Sequence, residues 1–337
     1  FTLFNASDIM LVKYLKRVLF KTTYCISCEV CEVECPTGAL SVYPHVNIDK
    51  EKCIHCHNCL DFHDHGCMVA DSLAITMENK TNVGNISKYG TFGLHEEWLL
   101  EYFADPEVTF WLAGNNSLGN KQVPSFKAWL KDAEIIDVKN VITEFGEFCA
   151  ENLTDDPDLV WSLIWTNLAH NSELVKWFVN NVRVGQTFDR AQLTELSYDS
   201  FATSFSRSTI EYAFLAFMQL FSYSPFGETL KQGEPFDKKL LVRNEYDNLS
   251  EIALAYSLYK FAEKNDARLL RVKDFYDEEC INGPAKEFAL SKDKFESCLR
   301  SLNSSKDRIL IAELNMGLNH ITLREDITPI QVLKKFL

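Results

Sequence analysis

The sequence predicts an α+β protein: a small cysteine-rich domain built on short strands, then a larger, mostly α-helical region. Three observations carry that prediction. Eight of the eleven cysteines fall between Cys25 and Cys67, and the rest are scattered as Cys149, Cys280 and Cys298. The stretch "ALSVYPHVNID", between two groups of those cysteines, alternates with period two, as a strand pair does. From about Lys88 onward, apolar residues recur at three- and four-residue steps, as one helix face requires.

Composition narrows the classes. The chain has 337 residues, 46% hydrophobic and 24% charged, which is ordinary for a soluble globular protein. No apolar run is long enough to cross a bilayer and no signal peptide is visible, so a cytoplasmic protein without membrane contact is expected. The chain opens on Phe1, and "DIMLVKYLKRVLF" reads as an amphipathic helix. Residues 1–24 are therefore expected to link to a further domain upstream. The net charge of −14 argues against non-specific nucleic-acid binding by the whole chain, but leaves room for a local basic face. Cysteines crowded into one segment argue against a disulfide scaffold, whose cysteines would be spread along a small secreted chain.

The first cysteine group is Cys25, Cys28, Cys31 and Cys35, followed by Pro36. This is C-x2-C-x2-C-x3-C-P, the run that holds 4Fe–4S clusters in bacterial ferredoxins. Three thiolates at steps of three wrap a loop around one face of a cubane. The fourth leaves on the next element and serves the other cluster, and Pro36 turns the chain out of the site. The second group repeats the triple as Cys53, Cys56 and Cys59, with Cys67 after a wider gap and Met68 where the proline would stand. By this crossover rule, cluster 1 takes Cys25, Cys28, Cys31 and Cys67, and cluster 2 takes Cys35, Cys53, Cys56 and Cys59. Two four-cysteine zinc sites are the competing assignment, but such sites pair C-x2-C knuckles across a longer spacer. His45, His55, His57, His63 and His65 also crowd this segment. They are read as loop histidines, because the cysteines already complete two clusters. With "SLAIT" as a further strand, residues 25–79 make a ferredoxin-like domain, and polar residues 80–87 make a linker.

In the remainder, "LHEEWLLEYF" places Leu94, Trp98, Leu99 and Phe103 on one face. Asn120 is expected to cap a helix that tolerates Pro124 in its first turn and buries Phe126, Trp129, Leu130 and Ala133. Two short apolar runs around a polar turn follow, then "ITEFGEF". Helix, hairpin and helix is the local order of a winged helix. Lys121, Lys127 and Lys131 would stand on its open helix face and Lys139 in its wing turn, as phosphate contacts to duplex DNA. A solvated helix face or a protein-docking face is the alternative. Asp156 caps a helix with Pro157 at its first position and a stripe of Trp161, Ile164, Trp165 and Leu168. Ser172 caps the next, and Ser208 with Glu211 is expected as a capping box of a third. The tryptophans read as core, and His170 and His320 as structural. Ser250 caps another helix. Phe295, Cys298, Leu299 and Leu302 share a face, and "RILIAELNMGLNHITLRE" reads as a hairpin turning near Gly317. Residues 88–200 and 201–337 are thus expected as two winged-helix-like units. No nucleophile elbow, phosphate loop or paired metal-binding histidines occur.

Two resemblances follow. "KTTYCISCEVCEVECPTGAL", "IDKEKCIHCHNCLDF" and "GCMVADSLAI", with the preceding "LVKYLKRVLF", resemble the ferredoxin module behind the nucleotide domain of phosphoadenosine phosphosulfate (PAPS) reductase family proteins. "TFGLHEEWL", "LGNKQVPSFKAWL", "DPDLVWSLIWTNLAHN" and "TPIQVLKKFL" resemble a domain of unknown function that accompanies such proteins in bacterial phage-defence and DNA sulfur-modification loci. The resemblance implies an upstream ATP-pyrophosphatase-type domain and other defence or sulfur-transfer proteins as partners. The chain itself shows no catalytic site of its own. Three functions compete: an electron-transfer module with a DNA- or protein-docking region, a segment of a sulfonucleotide reductase, and an iron–sulfur sensor that controls DNA binding. The extra helical region favours the first over the second, since reducing a small nucleotide needs no docking unit.

Overall fold

The computed structural model describes residues 29–33, 35–42, 47–54, 84–237, 239–277, 280–304, 309–315 and 318–335. The chain divides into two units, residues 1–81 and 82–337.

In the first unit, helix α1 (Val30–Val33) leads through a turn into strand β1 (Leu40–Ser41), which pairs antiparallel with β2 (Asn47–Ile48). Leu40 faces Ile48 and Ser41 faces Asn47. The strand pair expected from the alternating stretch is therefore present. Ala39, Leu40 and Val42 are buried, while Asn47 and Ile48 are exposed. The linking helix of residues 1–24, the "SLAIT" strand and residues 55–83 lie outside the described residues.

The second unit is helical, with two small antiparallel sheets. Its helices are α2 (Glu96–Ala104), α3 (Gln122–Asp132), α4 (Glu144–Asn152), α5 (Pro157–Asn171), α6 (Glu173–Asn181), α7 (Arg190–Phe201), α8 (Arg207–Tyr223) and α9 (Glu251–Asn265). A short α10 (Pro284–Glu287) precedes α11 (Lys292–Ser304) and α12 (Pro329–Lys335). Strands β3 (Thr187–Phe188), β4 (Glu234–Asp237) and β5 (Leu240–Val242) form one sheet in the order β3-β5-β4. Strands β6 (Leu269–Arg271), β7 (Leu310–Asn315) and β8 (Leu318–Leu323) form the other in the order β6-β8-β7.

Helix α5 is the hub. Asp156 caps it by accepting the Leu159 N–H at 3.1 Å, with Pro157 in the first turn, and every residue from Leu159 to Ala169 is buried. A helix buried on all sides needs neighbours on all sides. Helices α3, α4, α6, α9 and α10 supply them. Trp161 and Trp165 pack on Phe226, and Trp165 also meets Phe178 and Phe221. The tryptophans are core as expected: Trp129, Trp161 and Trp165 are fully buried. The capping roles of Ser172 and Ser250 hold as well.

Several expectations need correction. Residues 88–200 and 201–337 do not separate into two units, because α5 and α9, one from each half, pack together in a continuous core running from Ile86 to Leu333. Ile86 and Tyr89 belong to that core, so it begins inside the expected linker of residues 80–87. After α3 the expected hairpin is a single antiparallel bridge, Ile136 to Ile142. The return leg has no length, since Thr143 already caps α4 by accepting the Gly146 N–H. A Cβ on Gly146 would strike the Ile135 carbonyl, so only glycine lets α4 start this close. The winged-helix description thus fits neither half in full. In the second half the hairpin is present as β7 and β8, with β6 as a third strand, and Gly317 lies outside the described residues. Lys121, not Asn120, is the cap residue of α3, and the Gly119 carbonyl accepts from Gln122 and Val123. Ser206, not Ser208, caps α8, and Glu211 faces Arg207 at 3.5 Å.

Candidate metal centre and basic surface

Of the eight cysteines in the predicted ligand set, Cys35 and Cys53 have described side chains and Cys31 falls within α1. Cys25, Cys28, Cys56, Cys59 and Cys67 lie outside the described residues. Cys35 sits just past α1, its N–H bonded to the Glu32 carbonyl at 3.2 Å. Pro36 and Thr37 then turn the chain, and Gly38 takes φ 60°, the left-handed region that glycine enters without strain. The turn folds back over the sulfur. Ala39 donates its N–H to Cys35 Sγ at 3.2 Å, and Thr37 Oγ1 stands 3.7 Å from it. These donors favour the thiolate, so the Cys35 thiol is lowered to about 7, chiefly by the Thr37 N–H and then the Thr37 side chain. Cys53 N–H bonds to the Asp49 carbonyl at 3.0 Å, and Lys52 pairs with Asp49 at 3.3 Å. Both thiols are free and half-buried. A proline turn that aims N–H groups at a sulfur is what an iron-bound thiolate needs, so the described residues fit a 4Fe–4S loop. Glu32 adds a tie, its carboxylate accepting the Val42 N–H at 3.2 Å and so joining α1 to the end of β1.

The four lysines singled out by sequence are described. Lys121, Lys131 and Lys139 are exposed, whereas Lys127 is half-buried. Lys127 Nζ lies 4.8 Å from the centre of the Trp111 ring, a cation–π contact. Burial, and then the nearby Lys131 charge, hold its ammonium below the ordinary lysine value. Lys131 Nζ donates to the Val138 carbonyl at 3.3 Å. None of the four pairs with a described carboxylate. By contrast, Lys88 pairs with Asp132 and Lys260 with Glu134, each at 2.7 Å.

A third feature escaped sequence reasoning. A line of buried polar groups runs along α5 and its neighbours. The Glu287 side chain is fully buried and accepts Ser257 Oγ–H at 2.6 Å and Thr166 Oγ1–H at 3.3 Å. Its other oxygen meets His170 Nε2 at 2.9 Å, a hydrogen bond when that nitrogen carries its proton. Asn167 bridges the Ala133 carbonyl and the Tyr256 hydroxyl. Asn171 reaches the Asp132 carbonyl and Glu134, and Tyr89 bonds to both Asp132 and Ser172. Arg243, fully buried, is lowered to about 9 by desolvation. Its guanidinium satisfies the Gln232 side chain and the carbonyls of Val179, Val182 and Lys286. Most of these donors and acceptors are spent on one another, so the network holds helices together; His170 Nε2 and Glu287 Oε1 have no partner beyond each other. His170 is structural, as the sequence suggests. The one legible signal was "TNLAHNS", five polar residues in seven on a helix otherwise apolar all round. Among the described residues, no group of three or more His, Cys, Asp or Glu side chains is arranged to hold a metal ion.

Comparison with known proteins bears on both units. A model of the 4Fe-4S binding domain family matches residues 18–41, spanning Cys25, Cys28, Cys31 and Cys35. No curated protein matches. Two solved structures share the fold. One, described as a magnesium ion-bound SspB crystal structure, superposes with a TM-score of 0.56 at 15% identity. The other, an SspB crystal structure, gives 0.55 at 14% identity. Each match covers 74% of this chain and 85% of the other. The first unit is about a quarter of the chain, so most of the match falls on residues 82–337.

Proposed function

We propose that this chain is the electron-transfer and docking part of a PAPS-reductase-like system acting in DNA sulfur modification or phage defence. The observation that carries the proposal is the cysteine run ending in Cys35 and Pro36, which falls within the matched 4Fe-4S binding segment. Cys25, Cys28, Cys31 and Cys67 would hold one cluster, and Cys35, Cys53, Cys56 and Cys59 the other. When bound, each cluster supplies a one-electron store at low potential. The protein's own contribution is the donor set. N–H groups of Thr37, Ala39 and Leu40 around Cys35 stabilise negative charge on sulfur, which favours the reduced, more negative state.

The second unit is the docking part in this reading, and the upstream domain supplies the ATP chemistry. Two features support it: the sequence resemblance of the "TFGLHEEWL" and "DPDLVWSLIWTNLAHN" segments, and the unpaired lysines of α3. The magnesium ion named for one structural relative is not carried over, because at 15% identity the likeness speaks to the fold alone.

The test is an anaerobic redox titration of the full chain followed by electron paramagnetic resonance. Two one-electron steps per chain are expected. A chain that takes up no electrons down to the potential of strong chemical reductants would refute the electron-transfer role.

A further inference from the structure

Building on the docking reading above, we infer that the turn of residues 137–141 and the lysine edge of α3 form one rigid surface that takes a nucleic-acid phosphodiester backbone, with Trp111 as its positioning residue.

The turn is held from four sides. Asp137 N–H bonds to the Val141 carbonyl at 2.8 Å, and Asn140 N–H to the Asp137 carbonyl at 3.0 Å. Asp137 Oδ1 accepts the N–H groups of Lys139 at 2.8 Å and Val141 at 2.9 Å. From outside, Trp111 Nε1 donates to the Asn140 carbonyl at 3.2 Å and Lys131 Nζ to the Val138 carbonyl. Asn140 has φ 64°, a conformation that asparagine tolerates and most residues resist. Val138 is left 84% exposed at the tip, with exposed Lys139 beside it. An aliphatic side chain fixed that far into water on a braced turn is not serving the core.

The charge around the turn defines the partner. Trp111 touches both parts of the surface, carrying Lys127 over its ring and Asn140 on its N–H. Burial, and secondarily the Lys131 charge, depress the Lys127 ammonium. Asp137 is the acidic group within the turn, and one of its carboxylate oxygens, Oδ1, accepts two backbone N–H groups. A protein of net charge −14 that leaves these lysines unpaired keeps a local site for an anion. Lysine is depleted in protein–protein interface cores, whereas spaced lysines and a braced turn suit successive phosphates.

The experiment measures binding of a short labelled duplex to the full chain by fluorescence anisotropy across a salt series. Wild type should bind at low salt, with affinity falling by about 0.9 log units per log unit of salt for each phosphate contacted, four at most. Lys139→Ala should flatten that slope by about one contact. Trp111→Phe keeps a ring beneath Lys127 but loses the bond to Asn140. It should weaken binding roughly three- to tenfold, and its loss should not add to that of Lys139→Ala. Asp137→Ala separates rigidity from charge. It removes a negative charge, so a purely electrostatic surface would bind tighter, whereas a surface that needs the braced turn binds more weakly.

Tighter binding by Asp137→Ala, or Trp111→Phe binding as wild type, overturns the inference while leaving the docking reading intact. If polyglutamate competes as well as unlabelled duplex, the surface takes an acidic protein instead and the nucleic-acid assignment fails. No binding by wild type at low salt removes DNA docking itself, and this inference with it.

Discussion

Replacing Glu287 by alanine tests whether the buried polar line holds the second unit together. The side chain has no solvent exposure, accepts from Ser257 and Thr166, and stands 2.9 Å from His170 Nε2. Removing it strands three buried groups. The Thr166 contact at 3.3 Å is long and counts for little, which leaves two full losses. An unsatisfied buried donor costs about 1–3 kcal/mol, so the expected loss is about 2–6 kcal/mol. For a unit of this size that lowers the unfolding midpoint by roughly 5–15 °C. Glu287→Gln keeps an oxygen for Ser257, and its amide can donate to His170 in the other tautomer, so its cost should stay below about 1.5 kcal/mol. Urea or thermal unfolding followed by tryptophan fluorescence reads this cleanly, because all six tryptophans lie between Trp98 and Trp177, within the second unit. An alanine variant within about 0.5 kcal/mol of wild type would refute the reasoning, since it would mean that the network is dispensable.

Cys28→Ser should release iron and loosen residues 25–76, while the fluorescence midpoint of the second unit stays at the wild-type value; the two probes are iron content and limited proteolysis. Cys149→Ser, Cys280→Ser and Cys298→Ser should leave iron content unchanged, because burial raises all three thiols and so keeps them protonated. The Lys260–Glu134 pair should show in pH dependence. Burial pushes the Glu134 carboxyl up, but Lys260, Asn171 and Lys264 together hold it below the ordinary glutamate value. A carboxyl depressed on folding adds stability above its unfolded value and loses it as pH falls through the folded one. Wild type should therefore exceed Lys260→Met at neutral pH, with the gap closing below about pH 4.5. The Glu134 side chain is 36% exposed, so solvent screens part of the effect. A gap that is constant from neutral pH to the acid limit would dismiss the pair.

Local chemistry was legible where one residue decides the outcome. Asp156 with Pro157, Ser172 and Ser250 each mark a helix start by a side-chain oxygen placed for an unpaired N–H, and Ser172 keeps that role while also accepting from Tyr89. Capping misread the third case because Ser206 and Ser208 offer the same chemistry two residues apart, and the chain takes the earlier one. Strands β3 to β6 were missed. They are two to four residues long, too short for a period to register, and they exist only because the sheets align them. Helix α7 was missed for a related reason. Its buried side of Leu193, Thr194, Ser197 and Phe201 mixes polar and apolar residues, so no stripe shows. The division at residues 200 and 201 failed because periodicity describes a helix face and says nothing of which partner covers it. At the candidate site, the spacing of Cys25, Cys28, Cys31 and Cys35 was legible and falls in the matched 4Fe-4S binding segment, while the second set rests on the sequence alone. The basic surface was half legible: the lysines were visible, but the Trp111 brace joins residues 29 apart in sequence.

The central claim is that the cysteine-rich unit holds two 4Fe–4S clusters, and the direct measurement is metal and acid-labile sulfide content of anaerobically purified protein, read with Mössbauer spectroscopy. The predicted result is close to about eight irons and as many sulfides per chain, with cubane spectra that change on reduction. About two zincs per chain with little iron would contradict it and make the eight cysteines a pair of structural zinc sites.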